Sequence, residues 1–191
     1  QLNLDIGNDV DALLDALVTQ RSVEDVFDKM KIVDLETAKS VYNTLETTLS
    51  NIMPEGYIAL SQVVVFDKQT KMAGTADLVI IDKNGFIKIV DLKTTKNSLK
   101  SFTTEDTKVG RKQTKYYDKQ WALNEDSLLK QAGIDKLSTR GQHNLQVNIY
   151  RRMFQNMGYD VYQGDYAAST FHLVADISGK GKNQKFNGTI T

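Results

Sequence analysis

Asp77, Asp91 and Lys93 lie in GTADLVIIDKNGFIKIVDLKTTK (residues 74–96), inside what otherwise reads as two apolar, β-branched strands. Aspartate is a poor strand former, and charged side chains are seldom buried unless they are paired or bind a metal. The residues KNG suit a three-residue hairpin loop with Gly85 in the left-handed region, closed by Asp82 and Phe86. That register sets Asp77 directly opposite Asp91 and Thr75 opposite Lys93, and alternation puts all four on one face. A two-residue Asn-Gly turn would shift the pairing by one and leave each aspartate alone in an apolar sheet, so the first register is the one expected. Two facing carboxylates repel unless a cation lies between them. Oxygen-only ligation beside an open loop suits Mg²⁺, which takes one or two carboxylates and keeps waters for a substrate phosphate. Lys93 would polarise a water and offset charge developing on phosphorus. The chemistry implied is metal-assisted phosphodiester hydrolysis; the alternative is a structural salt-bridge cluster at a sheet end.

The elements that must position these residues follow from periodicity. Val10, Leu13, Leu14 and Leu17 form a helical stripe, as do Val23, Val26, Phe27 and Met30. A longer helix carries Leu35, Ala38, Val41, Tyr42, Leu45, Leu49 and Ile52, with Asp34 as its start and MPEG (residues 53–56) as its stop. YIALSQVVVFD, KMAGTADLVIID and GFIKIVDLKTT then read as a three-stranded meander. Residues 96–140 read as polar and irregular, with a helix expected around YYDKQWALN. GQHNLQVNIYRRMFQNMG is an amphipathic helix stopped by Gly158, and YDVYQ, STFHLVADI and QKFNGTIT read as further strands.

With 191 residues the chain is long enough for one domain with a substantial core. No apolar run approaches the ~18 residues of a membrane span, and the acidic start is the opposite of a signal peptide, so a cytoplasmic protein without a membrane partner is expected. The opening Gln1 is expected of a domain cut from a longer polypeptide. Zero cysteines exclude a disulfide framework, a thiolate zinc site and a cysteine-ligated cluster. Only His143 and His172 could supply imidazole, which leaves carboxylates as the expected ligands. Residues 1–60 hold four Lys/Arg against eleven Asp/Glu, whereas residues 88–119 hold nine against four. Lys96, Lys100, Lys108, Arg111, Lys112 and Lys115, interleaved with Phe102, Tyr116, Tyr117 and Trp121, could track a phosphate backbone and stack on bases, and Arg151 with Arg152 could add phosphate contacts.

GTAD followed at fourteen residues by DLK resembles the bipartite motif of the PD-(D/E)XK nuclease superfamily. Gly-x-x-Asp, then Asp-x-Lys followed by Thr, is similar to its RecB-like exonuclease branch, and QVNIY (residues 146–150) resembles that branch's Gln-x-x-x-Tyr. The resemblance spans Leu35 to Tyr162 and implies an α/β fold: a central mixed β-sheet flanked by helices, with a restriction-endonuclease-like α-β-β-β-α-β core. It implies one nuclease domain over residues 1–191: helices in 1–53, a catalytic core in 57–162 with an insertion at about 96–140, and C-terminal strands in 163–191. By resemblance, Asp77, Asp91 and the Leu92 carbonyl bind Mg²⁺ or Mn²⁺, Lys93 positions the water, and Gln146 and Tyr150 support the site or hold DNA. The branch usually adds a His or Glu from the helix before the first strand, and Glu46 is the expected substitute. The activity implied is a deoxyribonuclease, expected to be an exonuclease in recombination, repair or phage replication, with a helicase or recombination partner or a fused domain. A catalytically silent nucleic-acid-binding module and a structural protein are the rival readings.

Overall fold

The computed structural model describes residues 1–53, 55–96, 102–107, 109–163, 168–179 and 181–191. The chain divides into two compact units, Gln1–Lys96 with Val147–Thr191, and Asn97–Gln146. The first opens with helices α1 (Leu2–Val18), α2 (Glu24–Phe27) and α3 (Leu35–Ile52). The expected stripes are buried in all three: Val10, Leu13 and Leu14 on α1, Val26 on α2, and Val41, Leu45 and Leu49 on α3. Asp34 caps α3 as expected, its Oδ1 accepting from the Thr37 amide at 2.8 Å. The acidic residues of α1 have separate structural uses. Asp9 is buried and accepts from the amides of Lys31, Ile32 and Val33, which pins the α2–α3 link to α1. Asp15 pairs with Arg21 and accepts from Ser61.

Strands β1 (Ile58–Asp67), β2 (Met72–Ile81) and β3 (Ile87–Thr95) form the expected antiparallel meander. The β2–β3 turn is the three-residue loop: Asp82 N donates to the Phe86 carbonyl at 3.0 Å, and Gly85 has φ +87°. The buried Asp82 carboxylate accepts from the Asn84 and Phe86 amides and from the Tyr162 hydroxyl. These bonds, the Tyr162 one foremost, hold it below the usual carboxylate range and lock the loop in one register.

In the second unit, β4 (Phe102–Thr107) pairs with β5 (Gly110–Lys115), and β6 (Gln120–Ala122) pairs with β7 (Lys136–Ser138); α4 (Leu128–Gln131) is a single turn. The irregular segment expected over 96–140 is thus two small antiparallel sheets. The helix expected around YYDKQWALN is a short 3₁₀ turn at Tyr116–Asp118 followed by β6, because Trp121 pairs across to Leu137 rather than sharing a helical stripe.

Helix α5 (Thr139–Asn156) ends with Gly158 at φ +91°, as expected of a left-handed stop. YDVYQ contributes no full strand, only a bridge between Val161 and Ile87. Strands β8 (Ala168–Ser178) and β9 (Lys185–Ile190) complete a five-stranded sheet in the order β1-β2-β3-β8-β9, with β3 and β8 parallel and the rest antiparallel. The α-β-β-β-α-β order is α3, β1, β2, β3, α5 and β8, so the expected mixed sheet flanked by helices is the one found. Leu78, Ile80, Val90, Leu92, Leu173 and Ala175 pack against the N-terminal helices. Val65, Ala76, Val79, Ile87 and Ile89 pack against Met153 and Phe154 of α5. Among the described residues no helix is long and apolar enough to cross a membrane.

The hairpin β1–β2 exchanges faces part-way. Ser61 points to Asp15 on α1, yet Val63 and Val65 belong to the core under α5; Leu78 faces the N-terminal helices, yet Ala76 lies in the α5 core. Residues two apart on a regular strand share a face, so the strands roll over between them. Pairing skips Gln62 and Asp77 at that step, and Gln62 has φ +50°, a left-handed conformation that costs a non-glycine residue of order 1 kcal/mol.

Candidate active site

The β2–β3 ladder runs from Ile81↔Ile87 to Leu78↔Val90 and stops. This is the expected register, and the next step along it is Asp77 opposite Asp91. There the strands part. Asp77 Oδ2 accepts from the Leu92 amide at 2.8 Å, so a side chain satisfies the amide that the opened ladder leaves. Thr75 and Lys93 are therefore not a bonded pair, although the expectation set them opposite. Roll-over of β1–β2 and splaying of β2 from β3 coincide at Asp77, which frees its carboxylate from regular strand geometry.

Asp91 is 1% exposed. Its Oδ1 accepts from Lys93 Nζ at 2.8 Å, while Oδ2 is buried and no donor among the described residues reaches it. Burial, opposed by Lys93 and reinforced by Asp77, pushes the Asp91 carboxyl up to about 6. A third carboxylate feels the charges of the pair: Asp11, half-buried on α1, pushed up to about 7 by burial first and by Asp77 next, with Lys93 opposing. Among the described residues Asp11 has neither the amide caps of Asp9 nor the arginine of Asp15. Asp91 and Asp11 thus share the Lys93 ammonium, and both feel the Asp77 charge. A buried Asp91 oxygen that no donor among the described residues reaches, on an acid raised by burial and near a second raised acid, Asp11, is a donor set that a divalent cation would satisfy. Among the described residues no three His, Cys, Asp or Glu side chains group so as to hold a metal ion.

Glu46 lies elsewhere. It is exposed on α3 and lines a cleft of about 550 Å³ with Leu17, Leu49, Met53 and Tyr57, where its charge raises the Tyr42 hydroxyl after burial has done so. The helix that brings a carboxylate to the aspartate pair is α1, packed on β3 and β1. The signal in the sequence was slight: Asp11 directly follows Val10 and precedes Leu14 by three, which puts it at the edge of the buried stripe.

Tyr150 and Gly74 meet. A methyl group on Gly74 would lie 2.5 Å from Tyr150 Cε1 and 3.1 Å from its hydroxyl. The ring rests on bare backbone three residues before Asp77, so the glycine of Gly-x-x-Asp and the tyrosine of Gln-x-x-x-Tyr are two halves of one contact. Gly74→Ala should push the ring off, lower stability by about 1–3 kcal/mol in urea titration and weaken metal binding at Asp77; an unchanged urea midpoint would sink this account. Gln146 is the last residue of the second unit, one helical turn before Tyr150 on α5. Leu92 buries its side chain against the N-terminal helices, and its amide is the one Asp77 holds.

A sequence model of the PD-(D/E)XK nuclease superfamily matches residues 4–180. The chain belongs to this superfamily. The match takes in α1 and β8 as well as the span of the motifs, so Asp11 falls within it. Neither a curated protein nor a solved structure matches the chain. Membership in a nuclease superfamily points to hydrolysis of nucleic acid, and PD-(D/E)XK nucleases generally use divalent metal ions, in keeping with the donor set around Asp77 and Asp91.

The basic residues of this PD-(D/E)XK chain belong to both units. Lys96 is exposed at the end of the first unit's leading segment. Arg111, Lys112 and Lys115 are exposed on β5 in the second unit, where register sets Arg111 opposite Asp106 and Lys112 opposite Glu105. Arg151 donates to Gln163 at 2.7 Å. Lys100 and Lys108 lie outside the described residues, as do the side chains of Phe102 and Tyr116.

Proposed function

We propose that the chain is a Mg²⁺- or Mn²⁺-dependent deoxyribonuclease of the RecB-like branch, acting as an exonuclease in recombination, repair or phage replication. The observation that carries this is the convergence of Asp77, Asp91 and Lys93 where the strand pair opens, with Asp91 Oδ2 buried and unsatisfied among the described residues. The Gly74–Tyr150 contact supports the branch, since it makes two of its motif positions mutually dependent.

Asp77 and Asp91 would hold the cation, with the Leu92 carbonyl as a further ligand. Bound there, it would supply a Lewis acid at the phosphoryl group and lower the pKa of a water. Lys93, already held by Asp91, would place its ammonium beside the reacting phosphate and offset the charge that develops on it. Asp11 would set the charge of the site from the α1 side. Tyr150 would brace β2 from the α5 side, with Gln146 contacting the strand or its support. Lys96, Arg111, Lys112, Lys115 and Arg151 would contact phosphates. The natural setting would be the cytoplasm of a bacterial or phage-infected cell, with a helicase or recombination partner supplied in trans or by fusion.

The test is digestion of end-labelled single- and double-stranded DNA, linear and circular, with Mg²⁺, Mn²⁺ or EDTA. Metal-dependent loss of linear DNA with circles spared would support the exonuclease; cutting of circles would make it an endonuclease. DNA binding without cleavage in either metal would replace the proposal with a silent binding module.

A further inference from the structure

One candidate for the same site comes from a strand that the motifs do not mention. Strand β8 runs parallel to β3 with Asp91 beside Thr170 and Lys93 beside His172. Register partners in adjacent strands stand about 4.8 Å apart on the same side of the sheet. Core packing gives the same orientation independently: Phe171, Leu173 and Ala175 pack towards the N-terminal helices with Leu92, so His172, alternating with them, shares the face of Asp91 and Lys93. His172 is half-buried and lies within the parallel ladder, two pairs before its last, Thr95↔Val174. Across the sheet the order is Asp77 on β2, Asp91 and Lys93 on β3, then His172 on β8. Lys93 Nζ is turned towards Asp91, on its own strand. An imidazole one strand beyond Lys93 is therefore one strand spacing further from the aspartate pair, suited to donating to an anionic oxygen other than those at the cation.

Resting on the nuclease reading above, we infer that His172 is a substrate-binding residue that donates to the phosphate adjoining the scissile one. The polynucleotide strand then runs across the strands from β2 towards β8. The substrate class is a strand with at least two consecutive phosphates, not an isolated phosphodiester.

The experiment compares wild type, His172→Ala and His172→Asn on an oligonucleotide with one cleavable linkage, and on two versions with a neutral methylphosphonate at the phosphate on either side. The asparagine variant stays polar but is too short to reach, and it serves if the alanine variant folds poorly. Expected are a rise of about tenfold in KM with kcat within about twofold, the size of one lost hydrogen bond to a charged group. One of the two methylphosphonates should cost wild type a similar factor and cost the variants nothing further. The Mg²⁺-induced rise in Tm should be equal in all three proteins. An unchanged KM, a loss confined to kcat, or multiplying effects of variant and methylphosphonate would each overturn the assignment of His172. A wild type that neither binds nor cuts DNA would instead overturn the nuclease reading, and the inference with it, before any variant is made.

Discussion

Lys93→Ala lowers kcat for DNA cleavage by about 10³-fold, the cost typical of removing a preorganised donor at developing charge. Two further effects separate this from simple misfolding. Lys93 offsets both Asp11 and Asp91, so its loss leaves these two carboxylates, beside Asp77, without the ammonium they share. The metal-free variant should therefore be less stable than wild type and gain more in Tm on adding Mg²⁺. A variant that loses activity without gaining metal response would show that Lys93 acts through the fold; one that cleaves at the wild-type rate would remove Asp77, Asp91 and Lys93 from the reaction.

The second large effect is a pH dependence of metal binding. Asp91 and Asp11 have folded-state values raised to about 6 and about 7, so the native state keeps protons that the unfolded chain releases near pH 4. With the native state binding more protons, the stability of the metal-free protein falls as pH rises from about 4 to about 7 and levels off above. The carboxylates held low by hydrogen bonds, Asp34, Asp67 and Asp82, titrate below this window and act in the opposite sense there. A cation must displace the retained protons, so its contribution grows as they leave. Saturating Mg²⁺ should raise Tm by about 5–10 °C near pH 8 and by less than about 2 °C near pH 5. Asp91→Asn should abolish the Mg²⁺ response and flatten the fall near pH 6, and Asp11→Asn should flatten the fall near pH 7. Scanning calorimetry across this range, with and without Mg²⁺, decides it; a Mg²⁺ shift that does not vary with pH would mean the carboxylates are not the ligands.

Short-range chemistry makes much of this protein legible in its sequence. The register that faces Asp77 with Asp91 follows from three loop residues and strand alternation, because a hairpin's ends are tied by its own turn. The helix stripes, the Asp34 cap and the Gly158 stop are likewise local, and each is found. The two small sheets of the second unit are not legible in this way, since their strands are short and polar and owe their form to one another rather than to periodicity. Asp11, Tyr150 and His172 are three cases of the same limit. Asp11 reaches the aspartate pair because α1 packs on β3 across some 80 residues of chain; Gly74 must lack a side chain because α5 lays Tyr150 on it; His172 stands beside Lys93 through a parallel pairing that no turn enforces. Spacing along a chain encodes contacts made within one turn or one helix face. Contacts between distant elements depend on how whole faces pack, and here that packing brings the third carboxylate, the bracing tyrosine and the neighbouring imidazole to an aspartate pair that the hairpin had already set in place.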